Sequence, residues 1–236
     1  MDVEQGVCDV CGRQGRFVDA DRPTRENFRC EHCGASLRYR LQARAIATVH
    51  GAIGLSLAEL SELPPFCDSD LYEPGVIGPF RKYTRSMPGY INSFYWPDVE
   101  LGETRDGVRC EDLRALTLAD DSLDLVVSSD IFEHVRGPTQ AFAEIFRVLR
   151  SGGYHVFTVP VRWPLPSQTK QLVDCSGSED VFLVPPRYHG SPKDPEGSLV
   201  YTEFGMDLPE SLRELGFETA VHHGYRNAVT FASRKP

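Results

Sequence analysis

Between residues 122 and 160 the spacing of apolar positions changes twice. Leu123-Asp-Leu-Val-Val127 is a short apolar, β-branched run of the kind that sits in a strand buried on both faces. From Thr139 to Arg150 the period lengthens, and Phe142, Ile145, Phe146 and Leu149 fall at i, i+3, i+4 and i+7 on one helical stripe. Pro138 suits a first helical turn, and Gly152-Gly153 supplies a stop. Tyr154 to Val159 then reads as a second buried strand, ended by Pro160. Strand, helix, strand is a βαβ crossover, so the pattern predicts a parallel sheet. Ligands of such sheets bind beyond the carboxyl ends of the strands. Here that edge carries Ser128, Ser129, Asp130, Glu133 and His134.

The flanking segments extend the pattern. Leu37, Leu41, Ile46 and Val49 stripe a helix opening near Ala35, with Arg38, Arg40 and Arg44 clustered at its start. Those arginines read either as a basic lip over an anionic ligand or as a solvated face. A second short helix is expected from Leu55 to Leu63, before Pro64-Pro65. Cys67 to Phe80 reads as a strand ending in Glu73, then a turn containing Gly75 and Gly78. Such a turn either opens a nucleotide pocket, with glycines admitting the ligand and the acid beneath it, or is an ordinary strand-to-loop turn. Tyr90 to Asp98 gives a second strand, whose end offers Asp98 or Glu100 to a ribose, and Gly107 to Leu113 a third, ending in Asp112. In the tail, Asp207 can cap a helix carrying Leu208, Leu212 and Leu215, stopped by Gly216. Phe217–His222 and Ala228–Ser233 then read as two strands about a Gly224–Asn227 turn.

Composition narrows the function classes. A chain of 236 residues has room for one large α/β domain and a small appendage. Its net charge of −9 argues against a large nucleic-acid footprint, because phosphate binding needs a basic face. No apolar run approaches the roughly 18–20 residues that span a bilayer, and MDVEQGVCDV lacks a signal-peptide core. A cytoplasmic protein without membrane association is expected. Four of the seven cysteines fall as Cys8-x-x-Cys11 and Cys30-x-x-Cys33, each pair followed by glycine. Four thiolates at that doubled spacing make the closed tetrahedral set of a structural Zn²⁺, and the doubling disfavours a redox dithiol or chance. His32 is not counted as a ligand. The expected organisation is a zinc ribbon at 1–36, a helical linker at 37–66 and a main domain at 67–236.

Taken together, "EDLRALTLADDSLDLVVSSDIFEHV" and "AFAEIFRVLRSGGYHVFTVP" resemble the class I S-adenosylmethionine-dependent methyltransferases, most specifically between Asp112 and Pro160. The resemblance implies a Rossmann-like sheet with helices on both faces and a terminal antiparallel hairpin, beside the zinc ribbon. It also implies that Glu73 and Gly75, with Gly78, hold the methionine part of S-adenosylmethionine. Asp98 would hold the ribose, and Asp112 and Leu113 the adenine; Ser129 and Asp130 would face the methyl group. The glycine-rich first motif of the family is replaced here by Glu-Pro-Gly-Val-Ile-Gly.

A Pro-, Gly- and Ser-rich insert at about 161–205 is expected to shape the acceptor pocket, because long loops at a ligand edge are commonly lids. Trp163, Arg187, Tyr188 and Tyr201 are its candidate acceptor contacts. His189 reads as a general base or as a loop histidine bonded to backbone. The catalytic candidates are His189, Asp130 and His134, in that order. The leading expectation is methyl transfer to O or N of a small molecule, a natural product or saccharide. The alternatives are an RNA methyltransferase docking through the ribbon and its arginines, and a non-catalytic binding module on the same fold.

Overall fold

The computed structural model describes residues 3–19, 24–161, 166–189, 197–224 and 228–236. Strands β1 (Val3–Val7), β2 (Gln14–Val18) and β3 (Arg29–Cys30) form a small antiparallel sheet. Helix α1 (Leu37–Val49) and the single turn α2 (Leu57–Leu60) follow. The next elements are β4 (Leu71–Pro74), α3 (Arg81–Thr84), β5 (Tyr90–Phe94), β6 (Thr104–Arg105) and β7 (Val108–Cys110). The crossover comprises β8 (Leu123–Ser129), α4 (Pro138–Val148) and β9 (Leu149–Thr158). The insert contributes two-residue strands β10 (Lys170–Gln171), β11 (Val173–Asp174), β12 (Val181–Phe182), β13 (Tyr188–His189), β14 (Ser198–Leu199) and β15 (Thr202–Glu203). Helix α5 (Leu208–Glu214) and the hairpin β16 (Glu218–His223) and β17 (Val229–Arg234) end the chain.

The large sheet has eight strands in the order β16-β17-β9-β8-β4-β5-β7-β6. From β9 to β7 every neighbour pair is parallel, while β17 runs antiparallel to β9 and β16 to β17. This is the doubly wound Rossmann-like sheet with a terminal hairpin that the sequence predicts. The strand order reverses at β4, the place where such sheets open a ligand crevice at their carboxyl ends.

Period-two alternation assigns the two faces. Leu71, Leu125, Val127, Val156 and Ala232 share one buried cluster with Leu41 and Ile46 of α1 and with Cys8 and Phe17 of the small sheet. Their neighbours Tyr72, Val126, Phe157 and Phe231 turn the other way and pack with Phe142 and Ile145 of α4 and Leu212 of α5. Helix α1 is therefore part of the core, wedged between the cysteine module and the sheet.

Three local readings change. Helix α4 stops at Val148, before the glycines, because Leu149 turns extended and pairs with Leu123 across β8. Gly153 has another reason to be glycine: a Cβ there would lie 3.0 Å from the carbonyl oxygens of Arg150 and Asp124. The second expected strand ends at Phe94 rather than Asp98. Asp207 makes no capping bond to α5; its carboxylate accepts from the Thr169 amide at 2.8 Å and hydroxyl at 2.7 Å, fastening the insert to the helix.

Candidate active site

The carboxyl edge begins at β4. Glu73 is buried there, and the Tyr90 hydroxyl donates to its Oε2 at 2.8 Å. Burial pushes its carboxyl up to about 7, and the Tyr90 bond only partly offsets this. Gly75 takes φ +98°, which an L side chain resists, and its N–H donates to the Ser93 carbonyl at 2.8 Å. Gly78 lies against Glu73 and Tyr39: a Cβ there would be 3.5 Å from Glu73 Oε1 and 3.7 Å from the Tyr39 hydroxyl. Opposite Glu73 in the ladder stands Asn92, whose buried Nδ2 has no partner among the described residues. An orphaned amide beside a buried acid suits a polar, partly cationic ligand. Sequence reasoning missed Asn92, since nothing in a strand pattern singles out one amide.

Past β7, Asp112 accepts from its neighbour Arg114, through the backbone N–H at 2.9 Å, Nε at 3.0 Å and Nη2 at 2.5 Å. Burial raises its pKa, but those bonds outweigh it and hold the carboxyl below the usual range. A carboxylate has about four acceptor sites, so three donors leave it able to take one more. Leu113 beside it is buried. Asp98 is already engaged by another side chain. It lies four residues beyond β5, exposed, in an ion pair with Arg105 at 2.7 Å.

At the end of β8, the Ser129 hydroxyl donates to Gln42 Oε1 at 2.7 Å, and Gln42 Nε2 donates to the Ser128 and Val156 carbonyls at 2.9 and 3.1 Å. Asp130 follows with φ +53°, a left-handed conformation that aspartate tolerates better than most residues. Its carboxylate accepts from Arg25 Nη2 at 2.6 Å and from the Thr158 hydroxyl at 2.9 Å, and pairs with Arg38 Nε at 3.3 Å. Burial alone would raise its pKa; the two guanidinium groups reverse that and keep it ionised. An acid so engaged is a weak base, which removes the main ground for Asp130 as proton acceptor.

Arg25 comes from the segment between the two cysteine knuckles, so the small module reaches over the ligand edge. In that module Gly12 and Gly34 both take φ +71° and donate N–H to the Cys8 and Cys30 carbonyls at 2.8 Å. The Cys8–Cys33 and Cys11–Cys30 sulfurs are each 3.7 Å apart, and all four lie within 4.8 Å of one another. Ligands about 2.3 Å from a tetrahedral zinc stand about 3.8 Å apart. The geometry fits one such ion. His32 instead meets the Gln14 carbonyl at 3.1 Å. Of the three clustered arginines only Arg44 stays on a solvated face; Arg38 and Arg40 are buried. Arg38 is buried between Glu26 and Asp130, Arg40 is buried with its guanidinium 3.6 Å from the Phe17 ring, and Arg44 pairs with Asp9 at 2.8 Å. The module and α1 are stapled together by these three side chains.

The insert closes the far side. Its Tyr201 N–H donates to the Glu133 carbonyl at 2.8 Å, and His134 Nδ1 donates to the Leu199 carbonyl at 2.8 Å. His134 and His189 meet edge to face with centroids 5.4 Å apart, and burial lowers the His134 pKa. Beneath them is a cavity of about 200 Å³ lined in part by Glu133, Arg187, His189 and Glu203. Arg187 is paired with Glu203, Tyr188 is exposed, and the Tyr201 hydroxyl turns to Asp180 at 2.8 Å rather than to the cavity. Trp163 lies outside the described residues. The structure thus gathers Glu133, His134 and His189 on one side and Glu73, Gly78 and Asn92 on the other.

Glu73, Asp112 and Ser129 stand at or just past the carboxyl ends of strands in a doubly wound sheet, the edge at which such sheets take their ligands. The model described as a methyltransferase domain matches residues 98–157. An uncharacterized methyltransferase of Mycobacterium ulcerans is 38% identical over 102 residues, 42% of this chain and 38% of that protein, so the chain spans about two-fifths of that relative. An uncharacterized methyltransferase of Mycobacterium bovis is 36% identical over 198 residues, 79% of this chain and 75% of its own length. A solved S-adenosylmethionine-dependent methyltransferase from Mesorhizobium loti is 17% identical, with TM-score 0.47, covering 74% of this chain and 94% of that one. The chain belongs to the methyltransferase family, on a Rossmann-like sheet.

Proposed function

We propose that the protein transfers the methyl group of S-adenosylmethionine to an oxygen or nitrogen of a small molecule, a natural product or saccharide, held beneath the insert. The observation that carries this is the cavity of about 200 Å³ between the insert and the β8–β9 edge, with Glu133 and His189 on its wall. Space of that size under a hydrogen-bonded cover suits a compact acceptor better than a polymer. Burial of Arg38 and Arg40, which leaves only Arg44 of that cluster exposed, favours this reading over the RNA-directed alternative.

Glu73 and Asn92, with the Gly75–Gly78 turn, would receive the amino-acid end of the cofactor, Asp112 and Leu113 the adenine, and Ser129 the region of the reacting methyl. The bound sulfonium supplies an electrophilic methyl carbon with a good leaving group. Much of the rate then comes from alignment, which the chain provides by fixing the acceptor against the β8 edge. Arg187 at the cavity wall would orient the acceptor, and His189 would receive the proton that the acceptor loses. The four thiolates of Cys8, Cys11, Cys30 and Cys33 would hold Zn²⁺ as a scaffold that keeps Arg25 on Asp130.

The test uses methyl-labelled S-adenosylmethionine with separated small-molecule, RNA and protein fractions of a lysate. Label should enter the small-molecule fraction, and His189→Ala should lower that incorporation about 100-fold while leaving cofactor affinity within about twofold. Label entering RNA or protein instead would contradict the acceptor class, and unchanged incorporation would remove His189.

A further inference from the structure

We infer that Glu133, His134 and His189 form a binding site for one divalent transition-metal ion on the acceptor side of the edge. Their ligand atoms, one from each residue, all lie within 4.8 Å of one another. His134 Nε2 stands 3.6 Å from Glu133 Oε1, too far for a hydrogen bond. Two ligands about 2.1 Å from a shared tetrahedral ion stand about 3.4 Å apart. The His134 tautomer is set by its surroundings: a carbonyl can only accept, so Nδ1 carries the proton toward Leu199 and Nε2 offers its lone pair toward Glu133. A carbonyl behind the ring is how metal-bound histidines are oriented.

Glu133 supplies the independent observation. The residue is 1% exposed, both carboxylate oxygens are without a hydrogen-bond partner among the described residues, and it lines the cavity. A buried carboxyl left so requires a proton or a cation. Two neutral imidazoles and one carboxylate leave a divalent ion with net positive charge and open positions facing the cavity. The mixed N/O set suits Mn²⁺, Fe²⁺, Co²⁺ or Zn²⁺ better than Mg²⁺ or Ca²⁺.

This deepens the proposed function and rests on it for the role of the ion; with the ion bound, His189 serves as its ligand and the acceptor's proton leaves to water in place of His189. An acceptor hydroxyl on the open position would have its pKa lowered. Its O–H bond breaks with the proton passing to water, the O–CH₃ bond forms, and the S–CH₃ bond breaks with sulfur keeping the electron pair.

The test titrates Co²⁺ into the full-length protein already loaded with zinc at the cysteines, followed by visible absorption and calorimetry. One Co²⁺ per chain should bind with weak visible bands and without the near-ultraviolet thiolate band that cobalt at Cys8, Cys11, Cys30 and Cys33 would show. Glu133→Gln, and separately His189→Ala at an exposed position, should each weaken Co²⁺ binding at least tenfold without changing zinc content. No uptake by the wild-type protein, or equal uptake by both variants, overturns the site. S-adenosylmethionine titrated into the same samples separates the two claims. Cofactor binding without Co²⁺ uptake sinks the metal site alone, while Co²⁺ uptake without cofactor binding supports the site and sinks the methyltransferase role.

Discussion

Glu73 closes β4 with a buried carboxyl whose pKa is raised to about 7 from an ordinary 4.5. The folded chain therefore binds more protons than the unfolded chain between those values. Its contribution to stability is fully present below about pH 4.5 and is lost as pH rises through about 7, a change on the order of 3 kcal/mol. Glu73→Gln keeps an oxygen for the Tyr90 hydroxyl and cannot ionise. It should melt higher than the wild type at pH 8 without cofactor, show a much smaller difference near pH 4.5, and gain less from added S-adenosylmethionine. Thermal melts at the two pH values check this, and a lower melting temperature at pH 8 would contradict it. At this scale the sequence was readable wherever chemistry is written in local spacing, as with the CxxCG knuckles and Glu73 before its glycines. It was unreadable where a contact is long-range. Arg25 reaches Asp130 across 105 positions, and Glu133 becomes informative only once its carboxyl is seen without a donor.

Helix α1 shows the same limit for an element. Its stripe of Leu37, Leu41, Ile46 and Val49 marks an amphipathic helix but does not say what lies opposite. The polar Gln42 beside that stripe proves to be fully buried, bridging the ends of β8 and β9 from outside the sheet. Gln42→Leu would leave the Ser128 and Val156 carbonyls and the Ser129 hydroxyl without that partner. At about 1–3 kcal/mol for an unsatisfied buried group, a loss of about 2–4 kcal/mol is expected. It should appear as a lower urea midpoint with unchanged slope; an unchanged midpoint would show that the bridge contributes nothing. The arginines of α1 show a related limit. Charge on a helix suggests solvent unless a partner is known, which holds for the exposed Arg44, whereas Arg38 and Arg40 are buried against Glu26, Asp130 and Phe17 from other elements. For α4 the glycine pair marked the wrong stop, because pairing of Leu149 with Leu123 ends the helix first.

For the whole molecule, alternation and crossover rules were sufficient for the sheet: Leu123–Val127, the α4 stripe and Tyr154–Val159 appear as a parallel βαβ unit, and the tail forms the antiparallel hairpin. What they could not give is how the cysteine module, α1 and the insert converge on one edge. Among the described residues no helix is long and apolar enough to cross a membrane. The −9 charge coexists with arginines held in ion pairs such as Arg38–Glu26, Arg114–Asp112 and Arg136–Asp180. The central claim is that this edge binds S-adenosylmethionine despite its altered first motif. Calorimetric titration of the zinc-loaded protein with S-adenosylmethionine, then with S-adenosylhomocysteine, tests it most directly. Micromolar binding of both at one site per chain is the expected result. A folded, zinc-loaded protein that takes up neither would contradict the account and leave the chain a non-catalytic member of its family.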